Sequence, residues 1–211
     1  MSENILVVVP TAAEGAHIDT ERLCEAFGDK VRVIVGGVGM AAIAASLARL
    51  LRDAQPRMVI LAGIAGAYPD CGLSAGDVVL VATERIADLG AMRGERFEPL
   101  YQQVYHCPHV AAFPALRAVA ANTVNCAAAA HSAPSGPLPA TSGPVPAELE
   151  NMEGAAFFAV CIELGVPFLE LRAISNVVSD PPAMWNVPLA TKNLAAALET
   201  LLGRITDQLD V

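Results

Sequence analysis

Residues 5–9, ILVVV, are apolar without interruption, and a proline at position 10 ends the run. A segment apolar at every position, not every second one, fits a strand buried on both faces. Residues 18–27 recur with helical spacing instead, and VRVIV at 31–35 predicts a second strand. GGVGMAAIAASLARLL then reads as a glycine turn feeding an alanine-rich helix, whose small residues suit close packing on a sheet. RMVILAG at 57–63 predicts the next strand, and GDVVLVATERIAD at 76–88 predicts one or two more. Near the end, the pattern predicts a helix over 151–164, a strand over 167–175 and an amphipathic helix over 188–209. Residues 93–110 show no period and read as a loop or short excursion lining a pocket. The Pro-, Ala-, Ser- and Gly-rich stretch 127–150 reads mostly as an extended surface loop.

This alternation predicts an α/β fold: a three-layer sandwich with a central mixed, largely parallel twisted sheet flanked by helices. Right-handed crossovers place the loops that follow the strands along one edge, where ligands bind in open α/β sheets. With 211 residues, 54% of them hydrophobic, the chain can bury a substantial core, and residues 1–211 are expected to form a single domain. No apolar stretch approaches the roughly 20 residues of a membrane span. The opening MSENILVVVP carries an acid where an export signal carries basic residues, so a cytoplasmic location without membrane attachment is expected.

A net charge of −9 would repel a phosphate backbone, which argues against a nucleic-acid partner. The five cysteines lack C-x-x-C spacing and are expected to be reduced, mostly structural thiols, with no metal site.

Several polar residues fall where strands meet loops. Glu14 follows the first strand, in VVVPTAAEGAHI. Gly37, Gly39 and Ala42 satisfy G-x-G-x-x-A between a strand and a helix, the pattern of a dinucleotide-binding turn. That fingerprint also requires an acid at the end of the following strand, and ILAGIAGAY has none. The small-residue loop expected over 63–67 would let the backbone at Ile64, Ala65 and Gly66 face a planar ligand. Arg172 sits in the apolar strand PFLELRAI and must find a partner or meet a ligand. Ser175 and Asn176 follow, with Asn176 expected just beyond the strand end. In ENMEGAAFFAVC, Asn151 could cap a helix whose dipole Glu153 meets; alternatively, Glu153 is a carboxylate placed to take two hydroxyls of a sugar.

Together, VVVPTAAE, GGVGMAAIAAS, LAGIAGAYP, GDVVL, ENMEGAAFFAVC and LRAISNVVSD resemble, in the same order, the nucleoside phosphorylase and nucleosidase family. The M-E-(G/A)-A and R-A-I-S-(D/N) segments are the specific ones. The resemblance implies that Glu153 binds the ribose 2′- and 3′-hydroxyls and that Met152 packs on the sugar. It also implies that Glu14, standing where phosphorylases carry a phosphate-binding arginine, activates water with help from Arg172. Hydrolysis without a cofactor is the implied reaction, on a small nucleoside, in a homo-oligomer (a dimer or larger).

In the methylthioadenosine/S-adenosylhomocysteine nucleosidases the second motif ends in an aspartate that protonates N7 of adenine. Asn176 cannot donate a proton as a carboxylic acid does, but its amide suits the O6 and N7 acceptors of a 6-oxopurine, with Ser175 orienting it. Arg93, Arg96, His106 and His109 are candidate partners for an anionic substituent on the substrate. Phe157 and Phe158 are expected in the core, and Trp185 in the core or the pocket wall.

Overall fold

The computed structural model describes residues 4–94, 96–100, 103–127 and 147–207. In chain order the elements are β1 (Ile5–Val9), α1 (Thr20–Phe27), β2 (Val31–Val35), α2 (Met40–Asp53), β3 (Met58–Ala67), β4 (Val78–Ile86), a hairpin of β5 (Gly90–Arg93) and β6 (Arg96–Pro99), β7 (Tyr105–His106), β8 (Ala118–Thr123), β9 (Leu149–Asn151), α3 (Gly154–Glu163), β10 (Phe168–Val177) and α4 (Val187–Asp207). The uninterrupted apolar runs behave as expected: all of β1 is buried, and nine of the ten β10 residues are. Asp19 starts α1 by accepting the Arg22 N–H at 2.9 Å. Phe157, Phe158 and Phe168 interlock edge to face in the core.

The sheet is mixed and largely parallel, but it is not an open sandwich layer. The strand order β10-β4-β8-β9-β3 closes through a further pairing of β3 with β10, while β1 and β2 extend outward from β3. β3 makes closure possible because it is longer than expected. On one side it pairs with β10 from Val59 to Ala67. On the other it pairs first with β1, over Met58–Leu61, and then with β9, at Gly66 and Ala67. Among the described residues, 62–65 have no strand partner on that second side, and the ring opens there.

Four local expectations change accordingly. The stretch 63–67 is strand, not loop, since β10 pairs with it throughout. Asn176, expected just beyond the strand end, lies inside β10 together with Ser175, with a register shift between Ile174 and Asn176. The helix expected from 151 begins at Gly154, because Leu149–Asn151 are claimed by β3 and β8 as a strand. β8, in the alanine-rich segment 118–123, has no counterpart in the sequence reading. Most of the expected 127–150 loop lies outside the described residues. Among the described residues no helix is long and apolar enough to cross a membrane.

Candidate active site

A cavity of about 280 Å³ opens where β1, β3, β9 and β10 meet. Glu14, Ile64, Ala65, Gly66, Met152, Glu153, Ser175 and Asn176 all line it, with Trp185 in its wall. The unpaired stretch of β3 positions Glu14. Ile64 N–H, lacking a strand partner, donates to Glu14 Oε1 at 3.1 Å, and Thr11 Oγ1 donates to Oε2 at 2.8 Å. The Ile64 carbonyl takes Arg172 Nη1 at 3.1 Å, so the backbone of this one residue serves the carboxylate and the guanidinium together. Glycine is required just before it: a side chain at Gly63 would overlap Arg172 Nη1 and crowd Glu14 Oε1 at 3.0 Å. Burial raises the Glu14 carboxyl above its ordinary range, against the opposing pull of the Ile64 N–H and Arg172.

Arg172 does not line the cavity. It is fully buried behind it, and its donors are distributed among Glu170 Oε1 (2.7 Å), Ile64 O, Asn151 Oδ1 (3.1 Å) and Glu153 Oε2 (3.2 Å). The guanidinium therefore ties β10 to β3 and to the start of α3. Burial alone would lower its pKa, but Glu170 and Glu153 overcome that and hold it charged.

Asn151 Oδ1 also accepts the N–H groups of Glu153 (2.9 Å) and Gly154 (2.7 Å), so it satisfies the first donor of α3 from outside the helix, whose N-cap position is held by Glu153. Glu153 itself faces a different helix. Its Oε1 accepts the Gly39 N–H at 2.9 Å, at the positive end of α2. Gly39 takes φ 84°, and its N–H belongs to the group a dinucleotide pyrophosphate would need; Glu153 occupies that donor instead.

Ser175 Oγ donates to Asn176 Oδ1 at 2.7 Å, and Asn176 Nδ2 donates to Val177 O at 2.9 Å. With its carbonyl engaged, the amide offers the cavity an N–H. Arg93, His106 and His109 are not among the cavity-lining residues, and the Arg96 side chain lies outside what the structure describes. Arg93 pairs with Glu98 on the exposed hairpin, while His106 and His109 border a separate hollow beside Phe168. Among the described residues no group of three or more His, Cys, Asp or Glu is arranged to hold a metal. All five cysteines are free; Cys107 and Cys161 are buried, and Cys24 and Cys126 are exposed.

A profile of the phosphorylase superfamily matches residues 3–203. A futalosine hydrolase from Thermus thermophilus is 34% identical over 180 residues, covering 79% of this chain and 78% of the relative. The chain belongs to the phosphorylase superfamily. A 5′-methylthioadenosine/S-adenosylhomocysteine nucleosidase from Psychromonas ingrahamii is 27% identical over 84% of this chain and 83% of its own length. The fold is shared with the nucleosidase of the same name from Colwellia psychrerythraea, at a TM-score of 0.75 and 18% identity over 97% of this chain and 96% of that one. Like its curated relatives, this superfamily member is an enzyme of the nucleosidase kind, hydrolysing an N-glycosidic bond.

Two buried carboxylates escaped the sequence reading. Glu84 of β4 and Glu170 of β10 are both fully buried, on either side of Gly154. Glu84 accepts hydrogen bonds from Asn151 Nδ2 and, at 2.9 Å, from Thr123 Oγ1, whose oxygen accepts the Ala155 N–H. Glu170 is paired with Arg172 through one oxygen, while its other oxygen has no hydrogen-bond partner among the described residues. The available signal was a single carboxylate within each of two mostly apolar strands.

Burial first, and the neighbouring Glu170 next, raise the Glu84 carboxyl well above 4.5. A group raised in the folded state contributes stability fully below its unfolded pKa and loses it as pH rises through the folded one. Glu84→Gln should therefore gain in Tm relative to the parent as pH rises from the ordinary glutamate range upward. Melting curves from that range upward check this, and a constant difference would refute it.

Proposed function

We propose that this chain hydrolyses the N-glycosidic bond of futalosine, releasing hypoxanthine and leaving dehypoxanthine futalosine, a step of the alternative menaquinone pathway. The observation that carries the reading is the Asn176 amide. Its Oδ1 is held by Ser175, and it presents a donor where a 6-oxopurine offers two acceptors, N7 and O6. The substrate named for the Thermus relative supports the same assignment.

As the bond breaks, the ribose gains cationic character and the purine gains negative charge, so stabilisation is needed at both ends. Glu14 orients water at C1′ and accepts its proton. Glu153 takes the ribose hydroxyls, and its charge favours the cationic sugar, with Met152 packed on the ring. Asn176 hydrogen-bonds the departing base. Arg172 acts from behind, holding Glu153 and the Ile64 peptide in place.

Incubation with futalosine, inosine and methylthioadenosine, with and without phosphate, tests the reading by the base released. Hypoxanthine from futalosine, independent of phosphate, is expected. Preferential release of adenine, or a requirement for phosphate, would sink it. Asn176→Asp should shift preference toward 6-aminopurine nucleosides by about tenfold or more, since the new carboxyl can donate to N7 but loses the amide donor for O6. Unchanged selectivity would mean that another group reads the base.

A further inference from the structure

Of the three glutamates lining the cavity, one has no part in that mechanism. Glu150 is the middle residue of β9, paired with Gly66 of β3 on one side and with Asn122 of β8 on the other. Gly66 is in turn paired with Asn176 of β10. Glu150, Gly66 and Asn176 thus form one row across three strands, and directly paired residues project to the same face of a sheet. The two outer members stand two strand spacings apart, about 9.6 Å between Cα atoms. The glycine between them leaves a gap: a side chain there would lie 3.2 Å from Asn176 Nδ2. All three residues line the cavity.

The Glu150 carboxylate is short of donors. Tyr68 O–H donates to Oε2 at 3.1 Å and is itself held by Asn122 Nδ2 at 3.0 Å, while Arg85 Nε fixes the Asn122 carbonyl at 2.6 Å. Among the described residues no other hydrogen bond reaches Glu150, so Oε1 has no donor among them, and the residue lines the cavity. Burial raises its carboxyl, and nearby Asp88 adds to the effect. An anion at the wall of a ligand cavity, oriented by a tyrosine and lacking its second donor, is built to receive a donor from the ligand.

We propose that Glu150 is the specificity residue for the 6-oxopurine, its open oxygen accepting the N1–H of the base while Asn176 serves the N7 and O6 side. This rests on the reading of the substrate as a 6-oxopurine nucleoside. A 6-oxopurine carries acceptors at N7 and O6 and a donor at N1 along one edge, which the amide and the carboxylate complement. A 6-aminopurine carries a lone pair at N1, which a carboxylate repels.

The test compares inosine, 1-methylinosine and adenosine as substrates of the parent enzyme, Glu150→Ala and Glu150→Gln. In the parent, 1-methylinosine is expected to lose about 10²-fold or more in kcat/KM relative to inosine. Glu150→Ala should raise KM for inosine about tenfold, with a smaller change in kcat, and reduce the preference over 1-methylinosine to within about threefold. Glu150→Gln, which keeps an acceptor, should recover most of that preference. Titration with free hypoxanthine, 1-methylhypoxanthine and adenine gives the same comparison without turnover and shows that the variants retain a folded site. If the parent prefers 6-oxopurine nucleosides and Glu150→Ala keeps the full discrimination against the N1-methyl compound, the role of Glu150 falls alone. If the parent prefers adenosine, the substrate reading falls and this role falls with it.

Discussion

Glu14→Gln is expected to reduce kcat on the nucleoside substrate by about 10²- to 10⁴-fold, the range for removal of a positioned general base. KM should change little, since the amide keeps the size and one acceptor of the carboxylate. The Ile64 N–H that donates to Oε1 can donate to the glutamine carbonyl, so the fold should persist. The pH profile supplies a second reading. Burial raises the Glu14 carboxyl, so its active, ionised form is lost at a higher pH than for an exposed glutamate. The parent's kcat should fall on the acid side through that raised value, and the variant should lack this limb. Near-normal turnover of Glu14→Gln, or an identical acid limb in both proteins, would remove Glu14 from the role of base.

Arg172→Met is expected to be the most damaging single change to the fold. It removes the cation shared by Glu170 and Glu153 and frees the acceptors of Asn151 and Ile64, all in the interior. Breaking a buried ion pair by deleting one partner costs about 3–5 kcal/mol, because the remaining charge is left uncompensated. For a chain of this size that corresponds to a loss in Tm on the order of 10 °C. Arg172→Lys should recover only part of it, since one ammonium cannot reach acceptors spread over β3, β10 and the start of α3. Thermal melts of the two variants decide the matter. Parent-like stability of the methionine variant would show that the carboxylates simply take up protons and need no guanidinium.

The residues that line the cavity could be named from the chain because their types are conspicuous in their settings. Glu14, Glu153 and Asn176 each interrupt or end an apolar run, and a polar group in such a place needs a partner, a ligand or water. Continuous strands such as β1 and β10 were legible for the same reason, as was the parallel character of most pairings. β8 and β9 were not. One is half alanine and the other is three residues long beside a proline-rich stretch, so neither carries a periodic signal of its own. Glu84, Glu150 and Glu170 were missed because each looks like an ordinary strand residue until its cross-strand neighbours are known.

By itself the sequence determined the apolar strands, the order in which strands and helices alternate, and the motif residues that place the chain among nucleosidases and phosphorylases. These are local properties, set by the burial preference and period of each segment. The tertiary structure alone decided three further matters. It closed the sheet through β3 and β10, it put Glu153 at the start of α2 instead of serving its own helix, and it set Glu150 in one row with Gly66 and Asn176. Each depends on which strand lies beside which. Strand register is a relation between distant segments, and no local pattern in a single chain encodes it.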